Sequence, residues 1–130
     1  MTNPTEPRAG LTLLAVHFGM FDYSVRVVIG PAPKAIKWVR WYYDDPDAEF
    51  PETARGSYFR REGHCGIVWI PARPKTPVEY GTLAHEVVHA VSAMFEWATM
   101  DHKPDSEETF AHAVGFLVRA ILSRDKKWRM

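Results

Sequence analysis

The run Leu83-Ala84-His85-Glu86-Val87-Val88-His89-Ala90 sets two histidines four residues apart, with a glutamate beside the first. On a helix, residues at this spacing share one face, so His85 and His89 can turn their ring nitrogens toward a single cation. Glu86 then reaches a water on that cation instead of the cation itself. Two neutral imidazoles, an open position for water and a carboxylate to accept its proton are the working parts of zinc-assisted hydrolysis. The metal-free alternative is a helix whose two histidines are merely exposed.

A site of this kind needs a third protein ligand. The candidates are His17, His64, His102, His112, Cys65, Asp101, Glu107 and Glu108. In one common arrangement a third His follows shortly after a glycine that turns the chain. Val91 to Trp97 contains no glycine and continues the helical pattern, so that arrangement is excluded. In another, a Glu comes from the next helix, and Glu108 stands nineteen residues after His89 at the start of one. Glu108 also has a use without metal: with Asp105 as N-cap it falls at the third helical position, where a carboxylate satisfies backbone N–H groups. Glu107 is the alternate ligand if the helix is rotated. His112, one turn after Glu108, is a candidate donor to the oxyanion formed when water attacks a carbonyl, or a support for a ligand. Tyr80, one turn before the motif, is a candidate for the same substrate-facing role. His17, His64 and His102 read as surface or loop residues. Ser92 has no turn or third group that would make it a nucleophile.

The elements that must hold these residues are legible along the chain. Residues 1–10 carry two prolines and little apolar content, which predicts a flexible arm, and residues 11–130 read as one domain. Leu11 to Phe18 is apolar without a deciding period. Tyr23 to Ile29 is β-branched and stops at Gly30-Pro31, a buried strand followed by a turn. From Pro33, Ala35, Ile36, Val39, Tyr42 and Tyr43 recur at helical spacing. Asp44 to Glu52 is an acidic, proline-broken loop that lacks the ordered alternation of a calcium loop. Ser57–Arg61 and Gly66–Ile70 flank Glu62-Gly63-His64-Cys65 as a predicted β-hairpin. The motif helix begins at a Thr76-Pro77-Val78-Glu79 capping box and buries Leu83, Val87, Val91, Met94, Phe95 and Ala98, ending near Thr99. After Met100–Pro104, Asp105 or Ser106 caps a last helix that buries Phe110, Val114, Leu117, Val118 and Ile121. Arg119, Arg124, Lys126 and Lys127 gather at its C-terminus, where the helix dipole favours cations.

Composition narrows the function class. The 46% hydrophobic content and five tryptophans indicate a folded chain. Sixteen basic residues balance sixteen acidic ones, which gives no bulk field for nucleic acid or an anionic membrane. The Lys, Trp and Arg residues of the first helix therefore read as a solvated amphipathic surface and not a nucleic-acid face. Nothing approaches the ~20 apolar residues of a membrane span. Leu11 to Phe21 is interrupted by His17 and has no cleavage site, so no signal peptide is expected. A single cysteine, Cys65, excludes an intrachain disulfide and favours the cytoplasm. It reads as a small, half-buried residue before a strand.

His85-Glu86-Val87-Val88-His89, followed by Glu108, resembles the gluzincin branch of zinc metallopeptidases. More narrowly, Gly81-Thr82-Leu83-Ala84-His85-Glu86 and Glu108-Thr109-Phe110-Ala111-His112 with Gly115-Phe116-Leu117 resemble small phage- and prophage-encoded metallopeptidase-like proteins. The compact minigluzincins are comparable in size. The resemblance is specific over residues 80–120, loose over the N-terminal strands and absent over residues 1–10. It implies zinc on His85, His89 and Glu108, and Glu86 as the base that activates the zinc-bound water. His112 stands where these proteins often have Tyr. The implied fold is α+β and zincin-like, a small mixed β-sheet packed on the motif helix and a C-terminal helix. The implied activity is peptide-bond hydrolysis of a peptide or protein substrate, in the cytoplasm of a host cell if the chain is phage-encoded. By the same analogy the strand Gly66–Ile70 or its hairpin partner borders the site and takes an extended peptide by β-augmentation, with Trp69 a substrate-binding candidate. The competing expectation is a non-catalytic, zinc-binding structural or interaction protein, such as a phage accessory protein, in which the metal clips two helices together.

Overall fold

Strands that alternate between two apolar faces must be covered on both, and this chain supplies a helix layer for each. The computed structural model describes residues 5–19, 21–51, 53–98 and 106–123. The order is β1 (Thr12–Phe18), β2 (Tyr23–Ile29), α1 (Ala32–Tyr43), β3 (Ser57–Phe59), β4 (Gly66–Ile70), α2 (Pro77–Trp97) and α3 (Glu107–Leu122). The fold is α+β, with a mixed four-stranded sheet in the order β1-β2-β4-β3. β1 and β2 are antiparallel, β2 and β4 parallel, and β3 returns antiparallel beside β4, so that β1 and β3 are the two edge strands. The parallel pair requires a crossover, and α1 lies in it, as parallel strands demand. The ambiguous apolar run at the N-terminal end is thus a strand, and the predicted hairpin is present.

One face of the sheet is packed under α2 and α3. Leu14, Val16, Val25, Val27, Val68 and Ile70 meet Leu83, Val87, Val91 and Leu117 there. On the other face Leu13, Val28, Ile67 and Trp69 pack with Ala35, Trp38, Val39 and Tyr43 of α1. The α1 stripe differs from the expected one: Trp38 is fully buried, while Ile36 and Tyr42 lie at its margin. The Trp38 indole N–H donates to Glu6 Oε1 at 3.0 Å, and Arg8 pairs with the same carboxylate. So the described part of the expected flexible arm, from residue 5, is tied to α1. The same burial removes Trp38 from any solvated face of that helix. α1 stops at Asp44, which takes a left-handed conformation with φ 51°, one that Asp tolerates better than most residues. Among the described residues no helix is long and apolar enough to cross a membrane.

The start of α2 is fixed as the sequence predicts. The Glu79 N–H donates to Thr76 Oγ1, and the Thr76 and Lys75 N–H groups donate to Glu79 Oε1. These bonds also hold the Glu79 carboxyl below its usual range. This cap sets the register of the two turns that precede the motif. Thr76→Ala is expected to destabilise the chain by about 1 kcal/mol, read as a lower chemical-denaturation midpoint at unchanged slope. A change within a few tenths of a kcal/mol would show that tertiary packing alone sets where α2 begins. The expected end near Thr99 lies outside the described residues, which carry α2 to Trp97 and a C-cap at Ala98. In α3 the N-cap position is Ser106, without a side-chain cap bond, so Glu108 falls at the second helical position and not the third. Asp105, the other expected cap, and Met100–Pro104, Arg124, Lys126 and Lys127 lie outside the described residues.

Candidate functional site

α2 divides its motif between two environments. Leu83, Glu86, Val87 and Ala90 face the sheet and are buried, while Ala84, His85, Val88 and His89 face outward. Spacing by four brings the two imidazoles together on the outward side, with His85 Nε2 and His89 Nε2 3.1 Å apart. Two nitrogens at ~2.0–2.1 Å from one tetrahedral zinc ion would be about 3.4 Å from each other. The pair therefore fits a metal as two of its donors with little adjustment.

Glu86 is the exception on the buried side. It is 7% exposed, the only charged side chain buried among the described residues. Its Cγ lies against Gly56, the residue before β3: a Cβ at that position would come within 3.4 Å of Glu86 Cγ and 2.8 Å of Thr82 Cγ2. The absence of a side chain at 56 lets the chain entering β3 pass close under α2. Burial raises the Glu86 pKa above the ordinary carboxyl value, and the His85 and His89 imidazoles offset part of that rise. No described residue donates a hydrogen bond to its carboxylate or forms an ion pair with it. Its oxygens are not among the described polar atoms sealed from solvent without a partner, so the carboxylate reaches solvent, and its raised pKa beside two converging imidazoles points to a chemical role.

The remaining sequence candidates are distributed elsewhere. Glu108 and His112 pair with each other, His112 Nε2 to Glu108 Oε1 at 3.2 Å, with both side chains largely exposed. Glu107 is exposed beside them. Among the described residues no three His, Cys, Asp or Glu side chains gather to hold a metal ion. The reason lies in how the two helices meet. Phe110 at the first turn of α3 packs edge-on against Phe95, and Phe95 is six residues, about 9 Å of helical rise, beyond His89. The start of α3 is thereby docked at the far end of α2. His112 borders a cavity of about 300 Å³ that it shares with His17, Phe18 and Phe116. His17 is exposed and bonded to Ser24 Oγ, and His64 packs edge-on against Tyr42 and Tyr43. Cys65 is half-buried just ahead of β4, its carbonyl accepting the Tyr43 hydroxyl at 2.8 Å. Asp101 and His102 lie outside the described residues.

Of the two substrate-binding candidates, Tyr80 is about half exposed at the start of α2. Trp69 lies mostly in the core, and it also borders a cleft beside the first turns of α2. It is 2% exposed, its indole stacked on Phe50 with 4.0 Å between centroids, and its N–H donates to the Gly30 carbonyl at 2.9 Å. Strand alternation turns the ring toward α1 and away from α2.

Two features were missed in the sequence. Tyr58 of β3 places its ring nearly parallel to that of His89. Beside the first turns of α2 lies a cleft of about 560 Å³, lined among others by Arg55, Ile70, Pro71, Pro74, Val78 and Thr82. The signal for Tyr58 was the hairpin itself, which assigns alternate residues of β3 to the α2 face. The cleft had no local signal, since its walls come from three separate segments. Compared with known protein families, curated proteins and solved structures, the chain finds no match.

Proposed function

We propose that this chain is a zinc-dependent peptidase in which His85 and His89 hold the metal and Glu86 is the proton carrier. The observation that carries the reading is Glu86: a side chain 7% exposed, with no hydrogen-bond or ion-pair partner among the described residues, next in sequence to one of two imidazoles whose Nε2 atoms lie 3.1 Å apart. A metal clip between helices would need the imidazoles but not that carboxyl. Zinc bound there would polarise a substrate carbonyl and lower the pKa of water toward ~7. Glu86 accepts a proton from the attacking water and returns it to the leaving amine nitrogen. Glu108 is the proposed closing ligand, on its spacing from His89 and the resemblance that goes with it, with Glu107 the alternate; to reach the pair, either must leave its place at the start of α3, where Glu108 is bonded to His112.

The surroundings supply a place for a peptide. β3 is the sheet edge beside the motif, and an edge strand offers unpaired backbone groups to an extended chain. The cleft along Val78 and Thr82 lies on the turn of α2 just ahead of Glu86, and its mostly apolar walls suit an apolar substrate side chain.

Two measurements decide the reading. Zinc content per chain is expected near one for the wild type, near zero for His85→Ala, and reduced in Glu108→Ala but not Glu107→Ala. Unstructured peptide pools are expected to be cleaved by the wild type and spared once a chelator is added. Stoichiometric zinc without chelator-sensitive cleavage would instead support the non-catalytic, metal-binding protein. Full zinc content in both glutamate variants would move the third ligand elsewhere in the chain.

A further inference from the structure

A histidine that binds metal is commonly oriented by a hydrogen bond from its second ring nitrogen to a carboxylate or carbonyl. His89 has no such bond to a described residue; its polar contact is with His85. What it has is Tyr58. The phenol ring lies at 11° to the His89 imidazole, with 6.4 Å between centroids. Tyr58 leans along the sheet toward Gly66, which sits on the same face of β4 two residues before Val68, the register partner of Tyr58. The phenol oxygen rests over the Gly66 Cα, and a Cβ at 66 would collide with it. The ring is therefore pinned at one end by the β3 backbone and at the other by the hollow at Gly66. Its hydroxyl is buried, with the Tyr23 phenol its polar neighbour among the described residues. Burial, together with the nearby Tyr23 phenol, holds its pKa far above the ordinary tyrosine value, so it stays neutral.

We propose that Tyr58 is a positioning residue for the His85–His89 pair: a ring locked between β3 and Gly66 that fixes the plane of the His89 imidazole and keeps its Nε2 turned toward His85. The inference rests on the reading of this pair as a metal site. The final torsion of a histidine ring is broad and roughly two-fold, so an exposed imidazole without a hydrogen bond needs packing to choose its plane. Tyr58 supplies a parallel ring at that point, offset from the imidazole. The segment from Gly56 to Tyr58 thus touches the motif twice, through Gly56 against Glu86 and through Tyr58 against His89.

The experiment has one arm with metal and one without. By chelator competition, Tyr58→Ala is expected to weaken zinc binding about 10- to 100-fold, the usual effect of removing support from a ligand. Tyr58→Phe, which keeps the flat face, should stay within about threefold of wild type on the same scale. Gly66→Ala, which displaces the phenol, should behave like Tyr58→Ala. If Tyr58→Ala does not fold, Tyr58→Leu, with bulk but no flat face, takes its place with the same expectation. In the metal-free chain, ring-proton NOEs between Tyr58 and His89 should show one imidazole orientation in wild type and averaged orientations in Tyr58→Ala. A merely structural role would lower the melting temperature and leave both readouts unmoved. Wild-type zinc affinity together with a fixed His89 ring in the Tyr58 and Gly66 variants would overturn the proposal. If the wild-type chain binds no zinc, the peptidase reading falls, and the NOE arm still decides whether Tyr58 orients His89.

Discussion

Glu86→Gln is expected to lower peptide hydrolysis by about 10²- to 10⁴-fold, the range usually lost with a general base, while zinc content per chain stays at the wild-type level. The amide has the same shape, so the Gly56 contact survives and His85 and His89 keep their places. What is lost is a group that can accept and return a proton. The variant should also be more stable than wild type near neutral pH in the metal-free state. The sign follows from the raised pKa of the buried carboxyl. The folded chain binds a proton at Glu86 more tightly than the unfolded chain does. Stability contributed by that proton is present below the ordinary carboxyl value of 4.5 and is lost as pH rises through the folded-state value. Above that window the wild type carries a partly desolvated carboxylate with no ion-pair or hydrogen-bond partner among the described residues, and Gln does not. Denaturant midpoints of the two metal-free proteins should therefore converge at low pH and separate as pH rises. Unchanged turnover would remove Glu86 from the mechanism, and parallel midpoints at all pH values would show that its burial carries no electrostatic cost.

The parts of this molecule that were legible in the sequence are those set by neighbours along the chain. The capping box at Thr76 and Glu79, the stripe from Leu83 to Phe95 and the four-residue spacing of His85 and His89 depend only on local helix geometry, and all three are present. The strand from Tyr23 to Ile29 was readable because β-branched residues end at a Gly-Pro turn. What was not legible depends on where separate elements come to rest. The α1 period allowed two adjacent stripes, and only docking on the sheet selects the one that buries Trp38 instead of Ile36 and Tyr42. The closing ligand is the sharpest case. Spacing placed Glu108 on the next helix, but the reach of that helix depends on how far α2 continues and where Phe110 docks, and neither is written near Glu108. Tyr58 was hidden for a similar reason: its partner belongs to a helix 31 residues later in the chain.

Trp69→Ala should cost about 3–5 kcal/mol, a large share of the 5–15 kcal/mol that holds a typical domain together. For a chain of this size that corresponds to a fall in melting temperature of roughly 10–20 °C. β4 is flanked by β2 on one side and β3 on the other, so a defect there is felt by both. The indole fills the α1 side of the core, stacks on Phe50 and satisfies the Gly30 carbonyl. Removing it leaves a cavity and a carbonyl without its donor. Trp69→Phe keeps a ring for Phe50 and loses only the N–H, so a smaller loss of about 1–3 kcal/mol is expected. The comparison also separates two roles for this residue. A substrate-binding tryptophan would raise KM in both variants and leave the melting temperature in place. A core tryptophan does the reverse: stability falls in both, while KM of the folded Trp69→Phe protein stays close to wild type. The consequence for the site is indirect but definite. The Trp69 carbonyl lies 3.2 Å from where a Cβ of Gly56 would stand, and Gly56 in turn lies against Glu86. Loosening β4 therefore loosens the floor beneath the carboxyl, and zinc affinity in Trp69→Ala should fall together with stability instead of independently of it.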